Sequence, residues 1–207
     1  MTLFSLPPDI ILGARRAGLA RGQDTKATAS VLSKVTTIFT GRKFHVERRT
    51  FELDGTPHVY DIIVHPGAAV ILPVLDDGRL LLIHNYRVAV GQELLELPAG
   101  TLEEGEPPAA CAARELAEET GYRAGRLEPL VSFYSTPGIL TERMHVFLAT
   151  QLTPGPTAHE SGEQIRLAPL THAAALQAIR DARICDGKTI AALLYYDRFI
   201  RDLGPEV

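Results

Sequence analysis

"GTLEEGEPPAACAARELAEETGY", residues 100–122, decides how the rest of the chain is read. Pro107-Pro108 can open a helix, because the first N–H groups of a helix have no intrahelical partner and proline loses nothing there. Gly121 can close it. A helix ending at Thr120 places Glu115, Glu118 and Glu119 three and four positions apart, on one face. It also puts them at the C-terminal end, where the helix dipole is negative and acids are disfavoured. Each like-charged pair costs roughly 0.2–0.5 kcal/mol. Arg114, four residues before Glu118, offsets part of the repulsion, but one arginine cannot neutralise three glutamates. Two readings are open: a solvated acidic face, or a divalent cation held among the carboxylates. Hard cations such as Mg²⁺ take oxygen ligands and sit beside substrate phosphates.

Upstream of this helix the pattern is strand-like. "TTIFTGRKFHVERRTFELDGTPHVYDIIVH" carries two β-rich runs around Asp54-Gly55, a hairpin signal. "AAVILPVL" and "RLLLIHNY" flank Asp76-Asp77-Gly78, a second hairpin, and the short "ELLELPAG" follows. Downstream, "LEPLVSFYSTPG" and "RMHVFLATQL" read as strands around a loop at Thr136-Pro137-Gly138. "TPGPTAHESGEQ" is loop by composition. "IRLAPL" reads as a short strand. "HAAALQAIRDARI" and "KTIAALLYYDRFIRDL" read as helices, with Leu193, Tyr196 and Ile200 on one stripe of the second. Strands, one central helix, more strands and then helices predict an α+β fold with a mixed sheet, not a regular βαβ alternation. Residues 1–33 lack a clear period and form an extension, 34–66 an N-terminal β region, and 67–203 the main domain.

The totals fit one domain plus an arm: 207 residues, 45% hydrophobic and 22% charged. A net charge of −4 gives no push toward nucleic acid. No apolar run approaches the ~18–20 residues of a membrane span. The two cysteines, Cys111 and Cys185, make neither a disulfide framework nor a zinc site, which suggests a reducing, cytoplasmic setting. The start, "MTLFSLPPDIILGARRAG", has no basic lead and is broken by two prolines, unlike a secretory signal. Residues 1–46 are rich in arginine and lysine and poor in acids. Both a transit segment and a solvated or dimer-docking arm fit that bias. His45, His65, His84 and His145 have no metal-like spacing, and Cys111 reads as a small packing residue.

The spacing in residues 100–122 carries a family resemblance. Gly100, Glu106, Arg114-Glu115-Leu116, Glu118-Glu119 and Gly121 reproduce the Nudix box, with Tyr122 where an aliphatic residue is commoner. At ordinary residue usage, the seven fixed residues among these, all but Leu116, coincide by chance on the order of once in 10⁸ positions. The stretch resembles the Nudix hydrolases, Mg²⁺-dependent enzymes (Mn²⁺ also fits) that cleave nucleoside diphosphates linked to another moiety. The resemblance implies an α/β/α sandwich around a mixed sheet. It makes Glu115 and Glu119 the principal metal ligands, with Glu118 in support and the Ala99 carbonyl as a backbone ligand. Arg114 would orient the glutamates and Glu106 would brace the loop. Gly100 and Gly121 would supply conformations that a Cβ resists.

Further stretches resemble the ADP-ribose pyrophosphatase branch. "HNYRVAVGQELLELPAGTLEEGE" matches its strand end and its E-L-P-A-G turn, with Asn85 in place of the usual Gln. Pro137 lies fifteen residues beyond the box, where this branch carries a proline. "STPGILTER" looks like its substrate loop and "ICDGKTIAALLYY" like its C-terminal helix. The resemblance covers about residues 35 to 200.

It implies hydrolysis of ADP-ribose to AMP and ribose 5-phosphate, and a homodimer whose N-terminal β region helps enclose adenine. The general base would come from the loop "AHESGEQIR", with Glu163 the first choice and Glu160 the second. Arg87 would hold the distal phosphate, and Glu142 and Glu96 are candidates for ribose hydroxyls or an added metal. Arg48, Arg49 and Phe51 would face the base, since a guanidinium or aromatic plane stacks on it. Two alternatives stay open: another nucleoside diphosphate sugar as substrate, and a sensor that binds ADP-ribose without cleaving it. Sensors can lose box acids, whereas Glu106, Glu115, Glu118 and Glu119 are all present.

Overall fold

The computed structural model describes residues 31–157 and 164–201. The strand β4, Ala68–Pro73, is buried along its whole length. Side chains alternate across a strand, so a strand buried throughout must be covered on both faces. Ala69 and Ile71 enter one apolar cluster with Cys111, Ala112 and Leu116 of the helix α1, Pro108–Thr120. Val70 and Leu72 enter another with residues of the helices α2, His172–Arg180, and α3, Gly187–Phe199. Helices therefore cover both faces of this strand, the layering of an α/β/α sandwich.

β4 runs parallel to β9, Arg143–Pro154, and antiparallel to β7, Ala99–Thr101. β8, Tyr122–Tyr134, completes a mixed four-stranded sheet of order β7-β4-β9-β8. Its register slips between Pro129 and Val131, which lets a proline sit in the strand at an irregularity. A second sheet has the order β10-β5-β6, with β5 spanning Leu80–Arg87, β6 Gln92–Glu96 and β10 Ile165–Leu170. Together these elements form one compact unit from His65 onward.

The second unit, up to Val64, contains a three-stranded antiparallel meander: β1 Val31–Thr40, β2 His45–Leu53 and β3 Thr56–Val64. Asp54 and Gly55 at the β2–β3 turn both have positive φ, 51° and 73°, as a two-residue turn matched to strand twist requires. β1 starts three residues before the predicted edge of the β region, because Val31 and Leu32 already pair with Glu52 and Phe51. Most of the predicted extension, along with Glu160 and Glu163, lies outside the described residues.

α1 ends where the sequence predicts. Gly121 takes the left-handed conformation at φ 75° and donates its N–H to the Ala117 carbonyl at 2.9 Å. A Cβ there would also come within 2.6 Å of the Gly155 carbonyl. α2 and α3 are capped by Thr171 and Asp186, whose side chains accept from Ala174 and Thr189 N–H. Of the predicted α3 stripe, Leu193 is fully buried and Tyr196 packs against the same cluster, whereas Ile200 lies just past the helix end.

Leu116 is fully buried between α1 and the sheet. Leu116→Ala should lower stability by about 2–5 kcal/mol through lost burial and a cavity. The check is a urea midpoint that falls with the m-value unchanged.

Candidate active site

Arg114 is the hub of the acidic helix. Its Nε and Nη2 donate to the two oxygens of Glu106 at 2.9 and 3.0 Å, a fork-to-fork pair that ties the loop before α1 to the helix. Nη1 donates to Glu115 Oε1 at 2.7 Å and to Glu118 Oε2 at 3.0 Å. The carboxylates raise the Arg114 pKa further above its ordinary value, Glu106 most strongly. Arg114 in turn pulls Glu106 down to about 2, helped by the Glu103 N–H that donates to Glu106 Oε2.

Two close approaches fix the segment 97–101, which includes β7, against α1. Glu119, only 3% exposed, accepts the Ala99 N–H on Oε2 at 2.9 Å. The Glu115 carboxylate lies over Gly100, where any Cβ would collide with it. A side chain at position 100 would therefore displace the Glu115 carboxylate from this place. Cys111 is fully buried nearby, and burial, reinforced by the charges of Glu106 and Glu115, pushes its thiol up to about 12.

This corner carries four carboxylates, Glu106, Glu115, Glu118 and Glu119, against one guanidinium, which leaves three negative charges. An all-oxygen donor set with surplus negative charge fits a hard divalent cation. The acids do not yet close into a cage: among the described residues no three His, Cys, Asp or Glu side chains converge as metal ligands. Glu115 and Glu118 turn to Arg114 instead.

A second charged group lies at the other end of the same segment. Arg87, at the end of β5, and Lys188, in the first turn of α3, both reach Glu96, which is 0% exposed. Thr189 Oγ1 accepts the Leu97 N–H at 2.8 Å, a further tie between α3 and the loop. Burial draws the Arg87 pKa down, but the charges of Glu96, Glu119 and Asp186 more than reverse this, so the group is held above its ordinary value. Sequence reasoning pairs neither Arg87 with Glu96 nor singles out Lys188. The available signal is a cation in the first turn of a helix, against the dipole.

The other predicted residues are spread more widely. Pro137 and Glu142 lie in the loop between β8 and β9, closed by the Ser135 N–H donating to the Glu142 carbonyl at 3.2 Å. Glu142 Oε1 is 3.5 Å from His65 Nδ1. Within the N-terminal meander, Arg48 forks onto Asp61 at 2.8 Å and Arg49 donates to Glu47. Phe51 stacks on His58 and Tyr60 with ring centroids 5.5 and 5.3 Å apart. Leu32, Arg49, Phe51, Tyr60 and Ile62 line an open hollow of about 270 Å³.

An acid-rich helix end on an α/β/α sandwich, braced by one arginine, offers a hard divalent cation oxygen ligands beside which phosphate groups can sit. Residues 64–192 match the NUDIX domain. The chain is 36% identical over 165 residues to the methanol dehydrogenase activator of Bacillus methanolicus, covering 78% of this chain and 89% of that protein. It is 35% identical over 161 residues to the ADP-ribose pyrophosphatase of Bacillus subtilis (strain 168), covering 76% and 87%. The crystal structure of an ADP compounds hydrolase superposes with a TM-score of 0.75 at 26% identity, covering 84% of this chain and 96% of that one. The chain belongs to the Nudix family, whose hydrolases generally use divalent metals. Among the described residues, no helix is long and apolar enough to cross a membrane.

The depressed Glu106 pKa has a sign. Its pair with Arg114 contributes stability in full above the ordinary glutamate value of 4.5, and that contribution is lost as pH falls toward about 2. The stability gap between wild type and Glu106→Gln should be flat from pH 7 to about 5 and shrink below that. Urea midpoints across this pH range measure it, and a gap that widens on acidification would contradict the pairing.

Proposed function

We propose that the chain hydrolyses the pyrophosphate bond of ADP-ribose, releasing AMP and ribose 5-phosphate, with Mg²⁺ as its cofactor. The observation that carries this reading is the surplus of negative charge around Arg114, set against the loop that ends in Ala99-Gly100. The relative named ADP-ribose pyrophosphatase and the structure of an ADP compounds hydrolase support the choice of substrate.

In this reading Glu115, Glu118, Glu119 and the Ala99 carbonyl hold the cation, and Arg114 and Glu106 keep the glutamates in place. When bound, the cation neutralises charge on the diphosphate oxygens, which lowers the barrier to attack at phosphorus. Arg87 binds the distal phosphate through its exposed side. Glu163, or failing it Glu160, takes the proton of the attacking water. Pro137 and Glu142 shape the substrate loop. Arg48, Arg49 and Phe51 serve the adenine, for which the aromatic stack around Phe51 offers a flat, sequence-local surface.

The assembly we infer is a homodimer formed through the β region 34–66, with residues 1–33 an extension and 67–203 the catalytic domain. Its partner is a small nucleotide, not a nucleic acid or a membrane. The two free cysteines fit a reducing compartment, the cytoplasm.

Glu119→Gln should cut Mg²⁺-dependent AMP release from ADP-ribose by at least about 100-fold, the upper range for losing even an outer-shell partner of a metal. Full retained activity would remove Glu119 from the metal site. A wild-type panel that spared ADP-ribose but turned over a GDP- or ADP-hexose would move the substrate within the same chemistry.

A further inference from the structure

The two oxygens of the buried Glu96 are held differently. Lys188 Nζ donates to Oε2 at 2.9 Å. Arg87 Nη2 lies 2.6 Å from Oε1, yet Oε1 has no aligned hydrogen-bond donor among the described residues. A guanidinium facing an unoccupied carboxylate ordinarily docks as a fork, with two N–H groups on two oxygens. Here one of the two oxygens is already taken.

Lys188 is itself fixed. Its side chain is 11% exposed, and Nζ also sits 3.0 Å from Asp186 Oδ2. The same Asp186 oxygen accepts the Thr189 N–H at 3.0 Å and the Thr189 hydroxyl at 2.6 Å. The ammonium is thus anchored to the N-terminal cap of α3. Arg87 approaches Glu96 through Nη2 on Oε1, and over a third of its side chain faces solvent. Three of its five donors lie on Nε and the other terminal nitrogen.

We propose that Lys188 is a positioning residue for Arg87: by occupying Glu96 Oε2 it prevents the guanidinium from forking onto the buried carboxylate, and so keeps the outer N–H groups available for the oxygens of a diphosphate. This rests on the reading of Arg87 as a phosphate-binding residue. It also accounts for a cation in the first turn of α3, where the dipole alone would disfavour it. Without Lys188, Glu96 keeps a single counter-charge, and Arg87 turns inward to satisfy both oxygens.

The test is a double-variant cycle on whichever nucleoside diphosphate derivative the wild type hydrolyses fastest. Lys188→Met should raise KM about tenfold, the scale of one charge-assisted hydrogen bond, with little change in kcat. Lys188→Gln keeps an N–H donor for Oε2 and should stay within about threefold of wild type. Adding Lys188→Met to Arg87→Met should cost no more than Arg87→Met alone, because the two act as one unit.

Losses that multiply would show that Lys188 acts independently of Arg87 and overturn the proposal. A lowered melting temperature with an unchanged KM would overturn it as well. If no derivative is hydrolysed, the same cycle is read from the calorimetric Kd of ADP, and a wild type that does not bind ADP overturns it. A panel in which ADP-ribose is spared changes the substrate and leaves the cycle intact, so the two readings fail separately.

Discussion

The site depends on a single guanidinium placed among four acids. Arg114 is at the middle of α1, and its three nitrogens are divided between the loop before the helix and the helix face itself. The pair with Glu106 is therefore a tether as well as a charge contact: it fixes where the chain enters α1. The pairs with Glu115 and Glu118 hold two acids that would otherwise repel each other at the negative end of a helix dipole. Within this half-buried arrangement Glu106 is also held by the Glu103 N–H, and linked polar contacts of this kind reinforce one another.

The loop from Glu96 to Gly100 is the other constraint, and it is held from both sides. α1 holds its far end through Glu119 on the Ala99 N–H and Glu115 over Gly100. α3 holds its near end through Thr189 on the Leu97 N–H and Lys188 on Glu96. These helices cover opposite faces of β4, so the loop is where the two layers of the sandwich share polar contacts. A backbone pinned in this way keeps its carbonyls in place without further ordering when a ligand arrives, which reduces the entropy lost on binding.

Much of this was legible in the sequence, and the reasons are local. Pro107-Pro108 and Gly121 bound α1 through backbone chemistry that needs no tertiary context, and Asp54-Gly55 does the same for its hairpin. The three glutamates stood out because they opposed the dipole. What could not be read was the pairing of Arg87, Glu96 and Lys188. Lys188 lies 92 residues from Glu96 in sequence and reaches it only because α3 packs beside the end of β6. β1 begins earlier than the sequence pattern suggests for a related reason: Val31 and Leu32 are fixed by cross-strand partners, not by a period of their own.

The two cysteines differ in a way that has a practical consequence. Cys111 lies on the buried face of α1 with its thiol pushed to about 12, so at neutral pH it presents almost no thiolate. Cys185 is exposed, one residue before the Asp186 that caps α3. The natural chain thus carries one chemically addressable sulfur, two positions from Gly187 and three from Lys188. A fluorophore attached there would report on the α3 cap without any engineered labelling site.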